Sequence, residues 1–375
     1  MSRRKVGWSP RFDVGIALLA ATTTAFATLV LEDAFALGGT ESQFDGPRWG
    51  GTLASAFLLA VLVRGRQRRV RTTGTLYYLR YLQEWMSDWH LDDLDVIRST
   101  YLDRRVIGRW STEAPKNGVL DLVEDTAAIT SELQRSFNDD RADTAFNIAP
   151  NLLLPVAIGV GFDLYGWDSI ILEELFGDKL LSWALTDAAG AGTHAMPVTL
   201  VADRHPNGTS VLVTADLTDQ GATSPPPWRF RTHYRVGVFT GPGLVQPQKV
   251  VVSTQQRPVY PLDTVVVHPA RAAKAVVGAI RRALHENPAS TVVLAARMPK
   301  TVALAVGWGL ANWTTREHPG CGQMGCRQVA CLHPWRRLVV AMPDQETLGG
   351  GYHLTRVHRS QPTAGQLVAA VSGTP

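Results

Sequence analysis

The amino-acid sequence predicts an α/β protein of two fused Rossmann-like half-domains, preceded by an N-terminal hairpin of two transmembrane helices. Three observations predict this fold: a gapless internal repeat, a strand–turn–helix pattern within each copy, and an apolar, arginine-flanked character in the first 71 residues. We expect three domains. They are a two-helix transmembrane region at 1–71, a linker helix with the first half-domain at 72–205, and the second half-domain at 206–375.

The internal repeat aligns Phe146–Leu164 with Val292–Leu310, and six of the nineteen aligned positions are identical. In each copy an apolar run meets a polar break, at Asn151 or Arg297, followed by a proline and an apolar helical pattern. Short apolar runs bounded by turn signals are typical of parallel strands that are buried on both faces. The repeat therefore predicts a duplicated unit of strand, turn and helix. Ligands of open α/β sheets bind where such strands end.

The segments upstream of the two copies also correspond. Residues 93–102 and 210–218 read as the first strands of the two halves, and helical patterns follow at Val119–Ser136 and Pro269–Glu286. The whole half-domain is therefore expected to be duplicated.

The linker at Thr72–His90 is predicted to be helical. It places Tyr78, Leu82 and Trp85 on one helical face, which indicates a stalk between the membrane and the half-domains. Its aromatic stripe fits packing against the domain or a membrane-interface belt, because aromatic side chains with polar tips serve in both places.

Between the two copies the sequence predicts a strand at Ile170–Leu175 and then a helical stretch. Val198–Val201 and Val211–Ala215 flank a Pro-Asn-Gly turn and are expected to form a hairpin. Residues 219–262 read as an insertion on the second half that contains two short β-like runs. These runs are His233–Thr240 and Lys249–Thr254.

Two apolar stretches predict the membrane helices. Val14–Leu31 runs eighteen residues without a charge and Trp49–Val63 runs fifteen, whereas a spanning helix needs about 20. Basic residues precede the first stretch, five arginines from Arg64 to Arg71 follow the second, and the connector between them is acidic. The positive-inside rule then places both ends in the cytoplasm.

Two other interpretations of this region stay open. Ala34, Phe35 and Ala36 form a small-residue pattern typical of a signal-peptide cleavage site, although a second apolar run so close behind argues against export. A hairpin lying on the membrane surface is the third interpretation.

The net charge of +4 is distributed unevenly. Residues 1–71 carry +5 and residues 72–375 carry −1. A nearly neutral body is a poor candidate for binding long DNA or RNA, because that affinity comes largely from neutralising phosphates. A small anionic ligand enclosed in a pocket is compatible with it.

Common catalytic and nucleotide-binding motifs are absent from the sequence. We find no G-x-G-x-x-G after either first strand, no P-loop, no G-x-S-x-G elbow and no H-E-x-x-H. We therefore expect no enzymatic activity and no cofactor.

A cluster of metal-type ligands lies near the C-terminus, formed by His318, Cys321, Cys326, Cys331 and His333. Its C-x4-C-x4-C spacing is not that of a standard zinc finger, so we predict no metal site. The alternatives are a zinc site, or loop thiols with one buried strand cysteine. Three cysteines so close together cannot form a fold-wide disulfide framework, which favours a reducing compartment.

The repeated strand, the Met298-Pro299 turn and the helix sequence VALAVGWGL at 302–310 together resemble the SAVED domain, a fusion of two CARF-like halves. The resemblance covers roughly Thr72 to the C-terminus, and the first copy departs from it with PNLLLP at the turn. SAVED domains are cyclic-oligonucleotide sensors of bacterial CBASS anti-phage systems. The resemblance therefore implies a cyclic di- or trinucleotide ligand.

Such a ligand needs Lys, Arg and helix N-terminal amides for its phosphates, and aromatic or amide groups for its bases. The strand ends supply candidates. In the first half they are Arg98, Thr100, Tyr101, Arg104 and Asn151; in the second half they are Thr214, Asp216, Thr218, His268, Arg297 and Lys300.

Several of these candidates also have a simpler interpretation. Arg297 could be a solvated turn arginine, Asn151 a helix N-cap, and His268 the cap of the helix that starts at Pro269. Trp308 and Phe162 occupy equivalent helix positions, where core packing is favoured over base stacking.

The function implied by the resemblance is that of a membrane effector. A cytoplasmic SAVED domain binds a cyclic oligonucleotide made by a cGAS-like nucleotidyltransferase, self-associates, and causes the transmembrane helices to disrupt the bacterial inner membrane. Two alternatives stay open: a membrane-tethered ring nuclease that cleaves the same messenger, and a two-helix membrane receptor for an unrelated nucleotide.

Overall fold

The computed structural model describes residues 20–25 and 28, 53–65, 74–84 with 86 and 88, 101 and 103–140, 145–167, 169–176, 179–188, 199–201, 208–218, 226–236, 238–239, 248–252, 264–315, 333–344 and 351–372. The strands are β1 (Thr75–Gln83), β2 (Asp103–Ser111), β3 (Val119–Asp121), β4 (Phe146–Leu152), β5 (Ile170–Phe176), β6 (Lys179–Ala184), β7 (Thr199–Val201), β8 (Ser210–Asp216), β9 (Phe230–Val236), β10 (Val238–Phe239), β11 (Gln248–Val252), β12 (Thr264–Val267), β13 (Thr291–Arg297), β14 (Leu338–Pro343) and β15 (Tyr352–Arg356). The helices are α1 (Val123–Asn138), α2 (Leu154–Asp163), α3 (Pro269–Glu286), α4 (Lys300–Thr315) and α5 (Ala364–Ser372).

Two main sheets share one five-strand plan. The first sheet has the order β2-β1-β4-β5-β6, and the second contains β9-β8-β13-β14-β15 in the matching order. Within each set of five, every pairing is parallel except the last, which is antiparallel. The predicted duplication and the α/β class are therefore confirmed.

The second sheet carries an additional strand at each edge. β7 pairs antiparallel with β9, and β3, which comes from the first half of the chain, pairs parallel with β15. The two halves are therefore joined through backbone hydrogen bonds as well as through packing. A small third sheet, β10-β11-β12, lies beside them.

Helices α1 to α4 pack between the two main sheets. The largest buried cluster contains alternate side chains of β1 and β4 from the first sheet, of β8 and β13 from the second, and the apolar faces of these four helices. Because both sheets bury side chains in the same cluster, the two halves share one hydrophobic core. α5 packs on the outer face of the second sheet.

The two repeat helices, α2 and α4, meet at a pair of equivalent glycines. A Cβ on Gly161 would lie 1.9 Å from the carbonyl oxygen of Leu304, and a Cβ on Gly307 would lie 1.9 Å from that of Ile158. In the repeat alignment Gly161 matches Gly307 and Ile158 matches Leu304. The contact is therefore reciprocal about a local pseudo-twofold axis, and it requires glycine because the backbones approach so closely.

The predicted stalk helix is wrong. Thr75–Gln83 forms β1, the strand next to β4, and its side chains are buried on both faces of the sheet. Tyr77, Tyr78 and Tyr81 each bind an aspartate, which fixes the strand within the core. The aromatic stripe thus packs against the domain, as one of the two interpretations of it required.

Four smaller predictions are also corrected. The stretch after β5 is the strand β6, which pairs antiparallel with β5 instead of forming a helix. β7 and β8 form no hairpin, since β9 lies between them in the sheet. β9 is part of the main sheet rather than of an insertion. The first strand of the first half is β1, and most of the proposed strand at 93–102 lies outside the described residues.

The predicted transmembrane hairpin falls partly outside the described residues. Residues 53–65, which overlap the second apolar stretch and extend two residues beyond it, are helical. Among the residues that the structure describes, no helix has both the length and the apolar character needed to cross a membrane.

Candidate functional site

A cavity of about 480 Å³ lies at the carboxyl ends of strands from both halves. β1 and β4 reach it from the first half, and β8, β13 and β14 reach it from the second. The residues that line it are Gln83, Met86, Leu152, Leu153, Leu154, Thr218, Ala296, Arg297, Met298, Lys300, Met342, Pro343, Asp344 and Tyr352. Because parallel strands end at one edge of a sheet, this is where an open α/β fold binds ligands.

Both repeat turns line the cavity. β4 ends at Leu152 and α2 begins at Leu154, while β13 ends at Arg297 and α4 begins at Lys300. The first-turn amides of both helices therefore lie at the cavity, and helix N-termini favour anions. The local sequence explains the sharp turns, since Pro155 lies in the first turn of α2 and Pro299 immediately precedes α4.

Lys300 crosses from the second half to the first. Its ammonium donates a hydrogen bond to Asn151 Oδ1. Asn151 is 3% exposed, and its amide donates to the Tyr78 hydroxyl and to Asp88 Oδ1, each at 2.8 Å. Tyr78 also donates to Asp88. Two candidates from separate halves, Asn151 and Lys300, are thus in direct contact.

Asn151 is not the N-cap of α2. It lies within β4, and the N-cap position is Leu153, which makes no side-chain cap. The cap interpretation therefore fails, because the strand continues one residue beyond the polar position.

Burial favours the neutral forms of two side chains beside the cavity, the carboxyl of Glu174 and the amine of Lys300. The pKa of Lys300 is lowered by burial, and the nearby carboxylates of Glu174 and Asp88 oppose that shift. Burial raises the pKa of Glu174 to about 7, although it accepts a hydrogen bond from Thr301. A carboxyl that titrates near neutrality beside a buried lysine is typical of functional sites.

Arg297 lies at the end of β13 in the wall of the cavity. Its carbonyl oxygen accepts from the Leu217 amide at 2.8 Å, which ties β13 to the segment after β8. Burial raises the pKa of Tyr352, and the nearby charge of Arg297 opposes that rise. Arg297 is therefore a cation within electrostatic reach of a second lining residue.

Thr218 also lines the cavity, immediately after β8. Its buried hydroxyl has no hydrogen-bond partner among the residues that the structure describes. A buried hydroxyl without a partner is costly unless a ligand or water satisfies it. The one carboxylate in the lining, Asp344, contacts His353 Nε2 at 3.3 Å.

The other candidates lie away from the cavity or outside the described residues. Arg98 and Thr100 are not among the described residues. Tyr101 does not line the cavity and packs against a small buried cluster of Leu76, Tyr78 and Ala149. Arg104 is the second residue of β2 and so lies at the amino end of that strand.

Two second-half candidates have local roles. Thr214 Oγ1 lies 2.8 Å from His233 Nε2, in the adjacent strand β9. His268 accepts a hydrogen bond from the Ala270 amide at 3.3 Å and is the N-cap of α3. The capping interpretation of His268 is thus confirmed. Asp216, the last residue of β8, pairs in register with Arg297.

Sequence reasoning missed most of the residues around the cavity, and four of the polar ones are Gln83, Tyr78, Asp88 and Glu174. Two of them belong to β1, which was taken for a helix because its aromatic residues also fit a helical face. The signal that favours a strand was present in TLYYLRYLQ, which contains three tyrosines and a threonine. Asp88 and Glu174 lie far from either repeat turn in sequence, so only the fold brings them to the site.

The cysteine cluster lies outside the described residues, except for His333. Elsewhere, in the parts of the chain that are described, no group of three or more metal-ligating side chains comes together.

No protein-family model matches the chain, and no curated protein matches it in sequence. Solved structures of similar fold include a Cap4 SAVED/CARF-domain containing receptor of Acinetobacter baumannii, 12% identical, covering 73% of this chain and 48% of that one, with a TM-score of 0.34. The same receptor with the cyclic trinucleotide 2'3'3'-cAAA is 13% identical, covering 75% and 50%, with a TM-score of 0.36. The Cap4 receptor of Moraxella osloensis is 13% identical, covering 62% and 41%, with a TM-score of 0.31.

This chain spans about half of the length of the Acinetobacter baumannii receptors. Likeness at this level is too slight to carry an argument about function.

Proposed function

We propose that this chain is a sensor for a cyclic di- or trinucleotide second messenger, and that the messenger binds in the cavity between the two halves. The observation that carries the proposal is the convergence of Arg297 and Lys300, with the first turns of α2 and α4, on one cavity of about 480 Å³. The general rule that open α/β sheets bind ligands where their strands end supports the same place.

The chemistry of the lining fits a small polyanion with apolar ring systems. Two cations and two helix N-termini suit phosphates, and the lining also contains the apolar side chains of Met86, Met298 and Met342. The volume lies within the range of about 300–1,000 Å³ that is usual for small-molecule sites. Residues 72–375 carry a net charge of −1, which disfavours long nucleic acid.

We propose further that the chain is a CBASS effector in the bacterial inner membrane, with the sensor in the cytoplasm. Two features support this. The N-terminal stretches have the arginine asymmetry of a two-helix hairpin, and the helical residues Leu53 and Phe57 expose 67% and 72% of their surfaces. β1 follows this region in sequence and ends in the cavity wall at Gln83.

Ligand binding can drive membrane disruption only if the ligand prefers one state of the protein. A cavity with one wall from each half meets this requirement, because bridging phosphates would favour one spacing of the halves. We propose that this state self-associates and that a cGAS-like nucleotidyltransferase supplies the ligand.

Purified full-length protein tests the proposal when it is titrated with a panel of synthetic cyclic di- and trinucleotides. We expect one of them to bind, to raise the melting temperature and to be recovered intact by chromatography. Reporter fusions near Ser42 test the topology, and a cytoplasmic reporter there would contradict the hairpin. If no cyclic oligonucleotide binds, the sensor proposal fails.

The alternative is a ring nuclease, which the titrating groups beside the cavity favour. Glu174 and Lys300 have pKa values shifted toward neutrality, and Thr301 binds Glu174 directly. In this alternative, one group takes the proton of a ribose hydroxyl as its oxygen bonds to the adjacent phosphorus, and the other protonates the ribose oxygen of the next nucleotide as its bond to that phosphorus breaks; the ring opens and a cyclic phosphate remains at the new end. Recovery of a linear product, lost in Glu174→Gln, would establish this alternative.

A further inference from the structure

Trp110 has a large exposed surface on the edge strand β2. It is 37% exposed, and from residue 74 onward the described residues include only two other large apolar side chains that are exposed, Val106 and Tyr165. Two of the three therefore lie on β2. In the described part of the first sheet no further strand pairs with β2, whereas the equivalent strand β9 is covered by β7.

Arg80 covers one face of the Trp110 indole. Its guanidinium carbon lies 4.9 Å from the ring centroid, and Asp88 holds the guanidinium from the other side at 3.7 Å. Gly108 permits this arrangement, because a Cβ there would lie 2.3 Å from the Arg80 carbonyl oxygen and 2.7 Å from the Arg80 Cβ. The cation–π pair is thus formed before any ligand arrives.

Trp110 lies near the carboxyl end of β2, on the face of the first sheet that also carries Arg80 and Asn151. It lies opposite Leu82 in β1, one residue before the lining residue Gln83, whose side chain points to the other face. Side-chain contacts connect Trp110 to the cavity without a break. In order, they join Trp110, Arg80, Asp88, Asn151 and Lys300.

We propose that Trp110, backed by Arg80, is a stacking platform for one nucleobase of the ligand whose phosphates occupy the cavity. This inference rests on the proposed function. In a cyclic oligonucleotide the bases project outward from the ring of riboses and phosphates, so base-binding groups belong at the rim of a phosphate site. An indole stacks with any base, which makes Trp110 a determinant of affinity more than of base identity.

The test compares Trp110→Ala, Trp110→Phe and the control Val106→Ala in the full-length protein. The probe is whichever synthetic cyclic oligonucleotide of the panel binds the wild type. Loss of one stacked base is worth roughly 5- to 100-fold in affinity, so we expect Trp110→Ala to bind that much more weakly. Trp110→Phe should recover most of the affinity, and Val106→Ala, on the same strand and also exposed, should bind like the wild type.

The outcomes separate this inference from the proposed function. If the wild type binds no probe, the proposed function fails. If the wild type binds and Trp110→Ala binds equally well, the stacking platform is overturned while the sensor stands. Should Trp110→Ala not fold, Trp110→Leu keeps the apolar bulk without an aromatic ring and is expected to show the same loss. A loss in Trp110→Phe as large as in Trp110→Ala would also overturn the platform.

Discussion

The two halves have the same strand order and yet present different chemistry at equivalent positions of the cavity. Strand register and the repeat alignment match Asn151 with Arg297, and Leu154 with Lys300. The pairing of β4 with β5 and of β13 with β14 also matches Glu174 with Met342. Each half therefore supplies the same backbone scaffold with a different set of side chains.

This difference makes the interface between the halves hydrogen-bonded on one side of the pseudo-twofold axis and mostly apolar, apart from Arg297, on the other. On the polar side Lys300 binds Asn151, and Thr301 binds Glu174. On the other side the equivalent positions hold Leu154, Pro155, Arg297 and Met342. A duplicated fold has thus become an asymmetric cavity, which suits a ligand whose phosphates and bases need different surroundings.

The largest expected effect comes from breaking the reciprocal helix contact. Gly161→Ala and Gly307→Ala each place a Cβ 1.9 Å from a backbone carbonyl oxygen, and overpacking of this kind costs about 1–3 kcal/mol or more. Denaturant unfolding should show similar losses for both. The matched control is Gly278→Ala in α3, where no atom lies within 4 Å. It should be neutral or stabilising, by up to about 1 kcal/mol. Unequal losses at Gly161 and Gly307 would contradict the pseudo-symmetry.

Lys300→Leu gives the second half the leucine that the first half has at the equivalent position, Leu154. It also removes the cation from the polar side. We expect affinity for the bound cyclic oligonucleotide to fall roughly ten- to a hundredfold, because a charge-assisted hydrogen bond is worth about 1.5–3 kcal/mol. Isothermal titration calorimetry measures it. Lys274→Leu on α3 removes a charge outside the cavity lining and should bind like the wild type. If the affinity of Lys300→Leu is unchanged, Lys300 does not bind the ligand and its role is limited to the hydrogen bond with Asn151.

Arg297→Asn makes the two repeat turns alike at their polar position. It removes one cation from the cavity, and we expect about tenfold weaker binding. The melting temperature should change little, since truncating a partly exposed residue at the end of a strand usually alters stability by no more than about 0.5 kcal/mol. An unchanged dissociation constant would return Arg297 to the class of solvated turn residues.

The smallest expected effect is the contribution of Glu174 to the pH dependence of stability. The equivalent residue in the second half, Met342, does not titrate. The pKa of Glu174 rises from 4.5 to about 7 on folding because of burial. The folded protein therefore holds this proton more tightly than the unfolded chain does. Its contribution to stability is greatest below pH 4.5 and declines as the pH rises through about 7, by at most about 1 kcal/mol per pH unit.

Melting curves between pH 5 and 8 check this sign when wild type and Glu174→Gln are compared. Asp163 titrates in the same window, since burial raises its pKa to about 6, so only the difference between the two proteins reports on Glu174. A pH dependence that is identical in both proteins would contradict the buried, protonated Glu174.

The sequence by itself determined the duplication and the positions of the repeat turns. The apolar runs of β4 and β13, the prolines and the small residues of α2 and α4 are local signals, and the structure reproduces them within a few residues. They also located Arg297 and Lys300, because strand ends in such folds face the ligand edge. Local patterns suffice here because a strand that is buried on both faces consists of nearly continuous apolar residues, which the sequence shows directly.

Only the tertiary structure decided the state of Thr75–Gln83 and the composition of the polar side of the cavity. An aromatic segment of nine residues fits a helix face or a buried strand, and only pairing with β2 and β4 selects the strand. Lys300 contacts Asn151, 149 positions away, and Thr301 contacts Glu174, 127 positions away. Both contacts arise from the packing of the two halves about α2 and α4. No periodicity encodes such contacts, because they depend on how residues that are distant in sequence meet in the shared core.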